Sequence, residues 1–249
     1  MAKSGRRAAK LAAACIAIGV SAVVARRLAE GPSDEIPKLE LTPMHRSGSG
    51  TPLLLLHGVG GIWRAWLPVV PHLEPHHDVI VPTLPGHGGG PPLDTGIPPT
   101  VQALADAIEE DLDRLGLETV HIAGNSLGGW LGIELARRGR ARSLILFSPA
   151  GAWHSQRGIE LRAKVIRFSV GALGRSAPHA DKLAANAVLR WSLLAGQVAH
   201  PDRVPREELA AIIRAGGAAP AVAPLVRQLP SRQVRPLPAD RDYPVRLVW

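Results

Sequence analysis

The most constraining feature of this sequence is a glycine-flanked serine in the segment Gly124-Asn125-Ser126-Leu127-Gly128. A strand-like run, Thr119 to Ala123, precedes it, and a helix-like run, Leu127 to Arg138, follows it. Glycines on both sides of the serine let the backbone turn sharply without a clash at Cβ. The pattern therefore predicts a strand–turn–helix whose serine hydroxyl lies beside the free N–H groups and positive dipole end of a helix.

Two glycine-rich motifs precede this serine. They read Leu53-Leu54-Leu55-Leu56-His57-Gly58-Val59-Gly60-Gly61 and Leu84-Pro85-Gly86-His87-Gly88. Together with the serine segment, in this order and at this spacing, they resemble the α/β-hydrolase fold superfamily, in its branch of esterase-like enzymes with a helical cap. The resemblance covers roughly Leu53 to Trp249. The family usually has an aspartate where this chain has Thr83, and we expect that departure to cost local hydrogen bonding but no chemistry.

Alternation of strand-like and helix-like runs predicts an α/β fold with a doubly wound, mostly parallel sheet and right-handed crossovers. The run Leu53 to Leu56 is fully apolar, as expected inside a parallel sheet covered on both faces. Thr100 is a candidate cap for a helix over Val101 to Leu115. Further elements are predicted as an edge strand at Lys38 to His45, a helix at Trp63 to Leu73, and strands at Val79 to Thr83 and Ser143 to Phe147.

The domain organisation follows from where this alternation breaks. Residues 31–153 are predicted to form the core, residues 154–240 a mainly helical cap, and residues 241–249 the start of a returning core strand. In the family that this chain resembles, an insertion at this point covers the active site and supplies much of the substrate pocket.

The resemblance assigns roles to three residues. Ser126 is the expected nucleophile, and the backbone N–H groups of Val59 and Leu127 are the expected donors to the oxyanion. The implied reaction is hydrolysis of an ester or similar acyl bond through an acyl-enzyme, on a small, apolar acyl substrate. A serine at this position argues against haloalkane dehalogenation and epoxide opening, which use a carboxylate nucleophile. The sequence suggests no metal and no organic cofactor.

A serine nucleophile needs a base and a carboxylate to orient that base. In the family order both follow the serine, beyond a strand that Tyr243 to Trp249 resembles, and the sequence stops before either position. The segment Ser148-Pro149-Ala150-Gly151, which holds the acid in a minority of relatives, has no carboxylate. The expectation is therefore a chain truncated at the carboxyl end, without the last strand and helix. The competing hypothesis is a catalytically inactive fragment or binding module.

The amino-terminal residues 1–30 have the pattern of a targeting or anchor segment. Four basic residues in positions 3–10 precede an apolar run from Leu11 to Ala25, which Leu28 and Ala29 extend. A membrane anchor, a cleaved signal peptide and an ordinary amphipathic or disordered terminus all fit this pattern. We expect the chain to be anchored to a membrane through residues 11–29, or exported.

Composition narrows the classes of partner. The formal net charge is +8, yet several basic residues fall in the amino-terminal segment, and the chain has one Tyr and two Phe for stacking on bases. Nucleic acid is therefore not an expected partner. One cysteine excludes an intrachain disulfide, so stability must come from the core. Nothing in the sequence indicates the oligomeric state.

Overall fold

A computed structural model describes residues 36–94, 96–152, 156–194, 198–228 and 234–249. The predicted anchor segment, residues 1–30, lies outside these residues. The described part contains a six-stranded sheet with the order β1-β3-β2-β4-β5-β6. Its strands are β1 (Met44–Ser47), β2 (Thr51–Leu56), β3 (His77–Pro82), β4 (Val120–Asn125), β5 (Ala141–Phe147) and β6 (Val245–Val248).

The sheet is mostly parallel. Strand β1 pairs antiparallel with β3, and every other pair is parallel. The strand order reverses between β2 and β4, because the chain leaves β2 toward β3 on one side and leaves β4 toward β5 on the other. The predicted doubly wound α/β fold is thus confirmed, and its switch point lies between the carboxyl ends of β2 and β4.

The described residues form eight α-helices. They are α1 (Val70–Leu73), α2 (Val101–Arg114), α3 (Leu127–Arg137), α4 (Gln156–Ser176), α5 (Ala180–Ala185), α6 (Ala187–Leu194), α7 (Arg206–Gly217) and α8 (Val222–Gln228). Leu54 and Leu56 of β2 join the buried cluster that contains α2 and α3, whereas Leu55 joins the cluster on the other face. This period-two alternation explains why β2 is apolar throughout: both faces are buried.

Helix α2 begins and ends where the sequence predicts. The hydroxyl of Thr100 accepts a hydrogen bond from the Ala103 N–H at 3.1 Å, and Gly116 has a φ of 70° just beyond the helix.

Two predicted elements are wrong in extent. The predicted helix Trp63 to Leu73 is a 3₁₀ turn, Trp63–Trp66, followed by the single turn α1. Pro68 lies between them, and it lacks the N–H that a continuous helix would need. The edge strand predicted at Lys38 to His45 begins only at Met44 and runs to Ser47, where it pairs with β3.

The described residues divide into two compact units. One contains residues 36–39 and 179–210, with α5 and α6. The other contains residues 40–178 and 211–249, with the sheet, α2, α3, α4 and α8.

Within the described ranges, no single helix has the length and apolar character required to cross a membrane. One bent pair, α7 with α8, meets the requirement by length and composition only.

Candidate active site

The serine at the end of β4 occupies a strained backbone conformation. Ser126 has φ 52° and ψ −110°, and α3 starts at the next residue. Non-glycine residues at positive φ cost free energy, so the surroundings must hold them in place. Here the Ser126 N–H donates to the Phe147 carbonyl at 2.9 Å, and its carbonyl accepts from the Ala150 N–H at 2.8 Å and the Trp130 N–H at 3.2 Å. The predicted strand–turn–helix around Ser126 is confirmed.

Close backbone packing fixes the start of α3 against the end of β2. A Cβ on Gly128 would overlap the Leu56 carbonyl oxygen, and a Cβ on Gly124 would overlap the Gly128 carbonyl oxygen. A Cβ on Gly58 would lie 3.4 Å from Cβ of Ser126. The glycines therefore bring the loop after β2 alongside the serine.

The two N–H groups predicted as oxyanion donors flank this contact. Leu127 is the first residue of α3, so its N–H has no partner within the helix. Val59 follows Gly58 in the loop, where the Gly61 N–H closes a turn on the Gly58 carbonyl at 3.0 Å. Neither the Val59 nor the Leu127 N–H donates a hydrogen bond within the described part of the chain. Their role toward an oxyanion is a prediction.

The hydroxyl of Ser126 is half-buried and has no hydrogen-bond partner among the residues that the structure describes. His57 directly precedes the loop that contains Val59, and both of its ring nitrogens are hydrogen-bonded. Nδ1 donates to the Gly58 carbonyl at 2.8 Å, and Nε2 accepts from the Leu84 N–H at 2.9 Å. Complete burial, with the neighbouring His87, lowers the pKa of His57 to about 3. His57 is thus a neutral imidazole that links two loops, and it is not free to take a proton from serine.

A second histidine, His87, packs against His57. The sequence analysis did not predict this contact. The ring of His87 meets that of His57 edge-on, with centroids 5.2 Å apart. Its Nδ1 donates to the Pro85 carbonyl at 3.3 Å, and its buried Nε2 has no partner within the described residues. Burial lowers the pKa of His87 to about 4. A signal was present in the sequence: both histidines precede a glycine in the loops that follow β2 and β3, which are neighbouring strands.

The structure gives the hydrogen bonds that Thr83 makes in place of the aspartate usual in the family. The buried Thr83 hydroxyl accepts from the Trp63 N–H at 3.2 Å and is 3.4 Å from the Thr42 carbonyl, to which it donates. A threonine thus joins the 3₁₀ turn after β2 to the segment before β1, without a carboxylate.

At the amino ends of the strands, a histidine and a serine are hydrogen-bonded to each other. His121 Nδ1 and Ser143 Oγ are hydrogen-bonded at 2.7 Å between β4 and β5. An open depression of about 480 Å³ lies nearby along the same edge, lined by residues 46–50 and Asp78. Ser126 is at the opposite, carboxyl ends of the strands, so this depression is not part of the candidate site. No group of three or more His, Cys, Asp or Glu side chains in the described ranges could hold a metal ion.

Comparisons with known proteins agree with this fold. A model of the alpha/beta hydrolase family matches residues 53–249, and the chain belongs to that family. Among curated proteins, the chain is 43% identical over 114 residues to the epoxide hydrolase EphH of Mycobacterium tuberculosis, covering 44% of this chain and 52% of that protein. It is 36% identical over 115 residues to 2-hydroxy-6-oxo-2,4-heptadienoate hydrolase of Pseudomonas putida, covering 44% of this chain and 41% of that protein. The chain thus spans about half or less of the length of these relatives.

Solved structures support the fold alone. The N-acyl homoserine lactonase AidH matches with a TM-score of 0.56 and 23% identity, covering 85% of this chain and 76% of that one. The epoxide hydrolase CorEH matches with a TM-score of 0.56 and 20% identity, covering 79% of this chain and 73% of that one.

Proposed function

We propose that this chain is the serine-nucleophile part of a hydrolase that cleaves an ester or similar acyl bond through an acyl-enzyme. The observation that carries the proposal is Ser126 itself. Its hydroxyl is unpaired within the described residues, its backbone is held at positive φ, and the unpaired N–H of Leu127 follows it directly. Strain of this kind persists only where the surroundings impose it, and it is concentrated at functional sites.

The reaction uses the geometry as follows. Oγ of Ser126 forms a bond to the acyl carbon while the hydroxyl proton passes to a base. The N–H groups of Val59 and Leu127 stabilise the oxyanion, and each such donor is worth roughly 3 kcal/mol of the barrier. The leaving alcohol departs with a proton, and water then attacks the acyl-enzyme to release the acid and restore the serine. Since both nitrogens of His57 are engaged, the base is another group.

A second candidate reaction is epoxide hydrolysis, which the 43% identity to EphH favours. The chemistry of serine disfavours it. Attack by Oγ on an epoxide carbon gives an ether, which has no carbonyl for water to attack, so the enzyme would not turn over. A carboxylate nucleophile gives an ester that water can cleave. The serine of this chain therefore fits acyl substrates better.

The test compares the two substrate classes on the full chain. We expect p-nitrophenyl acetate and butyrate to be hydrolysed with an initial burst of nitrophenolate, and styrene oxide to remain unchanged. Ser126→Ala should abolish the burst, whereas Ser143→Ala, at the other end of the strands, should retain it. Turnover of styrene oxide would favour the second candidate, and absence of any burst from folded protein would favour the catalytically inactive scaffold.

A further inference from the structure

Helix α6 presents apolar side chains to solvent. Its start is capped by Asn186, whose Oδ1 accepts hydrogen bonds from the Val188 and Leu189 N–H groups at 3.0 and 3.1 Å. Leu189 and Leu194 are buried, whereas Val188 is 68% exposed and Trp191 is 60% exposed. Spacing of three residues places the two exposed side chains on one side of the helix. We refer to Val188 and Trp191 as the α6 face.

The exposure of Val188 and Trp191 is unusual, because both side chains are apolar. A large aromatic and a β-branched residue side by side in water forgo burial that would stabilise the fold. The charged residue of α6 is Arg190, and the helix contains no acid. An apolar face with tryptophan beside a basic side chain is the composition of helices that lie on anionic membranes.

The sequence that precedes this unit has the pattern of a targeting or anchor segment. Residues 36–39 belong to the same compact unit as α6. The sequence before them has the basic residues of positions 3–10 and the apolar run Leu11 to Ala25. Ten residues lie between Ala25 and Ile36, and the distance between these two residues is at most about 40 Å. If the apolar run enters a membrane, the unit that contains α6 is held within that distance of it.

We propose that the α6 face contacts an anionic lipid bilayer, with Trp191 at the level of the headgroups. The proposal does not depend on the hydrolytic function, because it concerns the unit formed by residues 36–39 and 179–210. Tryptophan favours the membrane interface, where its ring meets apolar chains and its N–H meets water. The basic amino-terminal segment supplies attraction to anionic lipids in addition.

The test uses the full chain and vesicles of phosphatidylcholine with about one third phosphatidylglycerol, with and without bromine on the acyl chains. We expect bromolipid to quench part of the tryptophan fluorescence. Trp191→Phe should remove most of the quenched signal. Trp249→Phe, which replaces a tryptophan 63% exposed in the other unit, is the matched control and should retain it.

A second pair of variants measures binding directly. Val188→Glu should weaken partition to the anionic vesicles about fivefold, because it places a negative charge in the contact. Ile97→Glu changes a residue 51% exposed in the unit that contains the sheet and should leave partition unchanged. Circular dichroism confirms that each variant is folded.

Four results would overturn the proposal. The first is absence of binding to anionic vesicles. The second is binding in which Trp191 is not quenched and Val188→Glu has no effect, because the amino-terminal segment would then account for all of the binding. The third is protection of Trp191 from acrylamide without lipid, which would mean that residues 11–25 cover the face. The fourth is a dimer that Val188→Glu dissociates, which would mean that a second copy covers it.

Discussion

A serine lies near a histidine at each end of the parallel strands, but only one of the two serines is hydrogen-bonded to the histidine. At the amino ends, Ser143 and His121 share a 2.7 Å hydrogen bond, and Ser143 lies in strand β5 where its register with β4 shifts. At the carboxyl ends, the Ser126 hydroxyl has no partner among the described residues, and His57 uses both nitrogens on the backbone. A serine–histidine hydrogen bond is therefore not what distinguishes the candidate site in this fold.

The difference lies in the backbone around each serine. Ser143 lies within strand β5, opposite His121 of β4, and does not precede the first residue of a helix. Ser126 stands at positive φ before a helix, and Gly124 and Gly128 allow two backbones to meet behind it. Four experiments sharpen this comparison, from the largest expected effect to the smallest.

The largest effect is expected from Gly128→Ala. Its Cβ would overlap the Leu56 carbonyl oxygen, which is backbone and cannot rotate away. We expect a loss of about 4 kcal/mol or more in the free energy of unfolding, measured by urea denaturation, or failure to fold.

Gly171→Ala in α4 is the matched control. A Cβ at Gly171 would meet only the Arg175 side chain, at 3.6 Å, and alanine favours a helix. This variant should be as stable as the wild type or slightly more stable. A cost below about 1 kcal/mol for Gly128→Ala would contradict the close packing of β2 and α3, because overlap in a packed region costs more.

The next effect is the dependence of stability on pH. The pKa values of His57 and His87 are lowered to about 3 and about 4 by burial, so the folded state disfavours the protonated rings. Their contribution to stability is complete above pH 6.5 and falls as the pH drops toward 4, because the unfolded chain then binds the protons. The slope approaches about 1.4 kcal/mol per pH unit for each histidine.

Denaturation of wild type and His87→Leu at several pH values between 7 and 4 measures this slope. The variant should show a shallower pH dependence, whatever its stability at pH 7. Identical slopes for the two proteins would show that His87 is not buried in its neutral form. Burial also lowers the pKa of His121, at the amino ends, but this residue is only partly buried, so His121→Leu should change the slope less.

A smaller effect is expected when each serine is replaced by glycine instead of alanine. The change in stability should have opposite signs at the two ends of the strands. Ser126→Gly should be more stable than Ser126→Ala by about 1 kcal/mol, because glycine accepts positive φ without strain. Ser143→Gly should be less stable than Ser143→Ala by about 0.5 to 1 kcal/mol, since glycine in a strand costs entropy. The same sign at both positions would mean that Ser126 is not strained.

The smallest effect is expected from Ser143→Ala. It removes the hydrogen bond to His121, which is partly exposed, so the loss should be about 1 kcal/mol or less. Ester hydrolysis should be unchanged. A large loss of activity would indicate that the amino ends of the strands take part in the reaction.

Much of the region around Ser126 could be predicted from sequence, because its signals are local. Glycines flank the serine, Thr100 caps α2, and the apolar run of β2 shows that both sheet faces are covered. Each of these follows from the steric or hydrogen-bonding needs of the residue itself.

The remaining features of the site depend on contacts between segments that are distant in the sequence. The pairing of His57 with His87 follows only from the adjacency of β2 and β3, which periodicity does not give. The hydrogen bonds of the Thr83 hydroxyl form because Trp63 and Thr42 approach it in the folded chain. The predicted helix over Trp63 to Leu73 failed because the apolar pattern was followed through Pro68.

The central claim is that Ser126 is the nucleophile, and a fluorophosphonate probe tests it most directly. The folded full chain is incubated with the probe, and intact mass and peptide mapping locate the adduct. We predict a single adduct on Ser126, which is absent in Ser126→Ala and retained in Ser143→Ala. A folded chain that remains unlabelled, or that is labelled at another residue, would contradict the account.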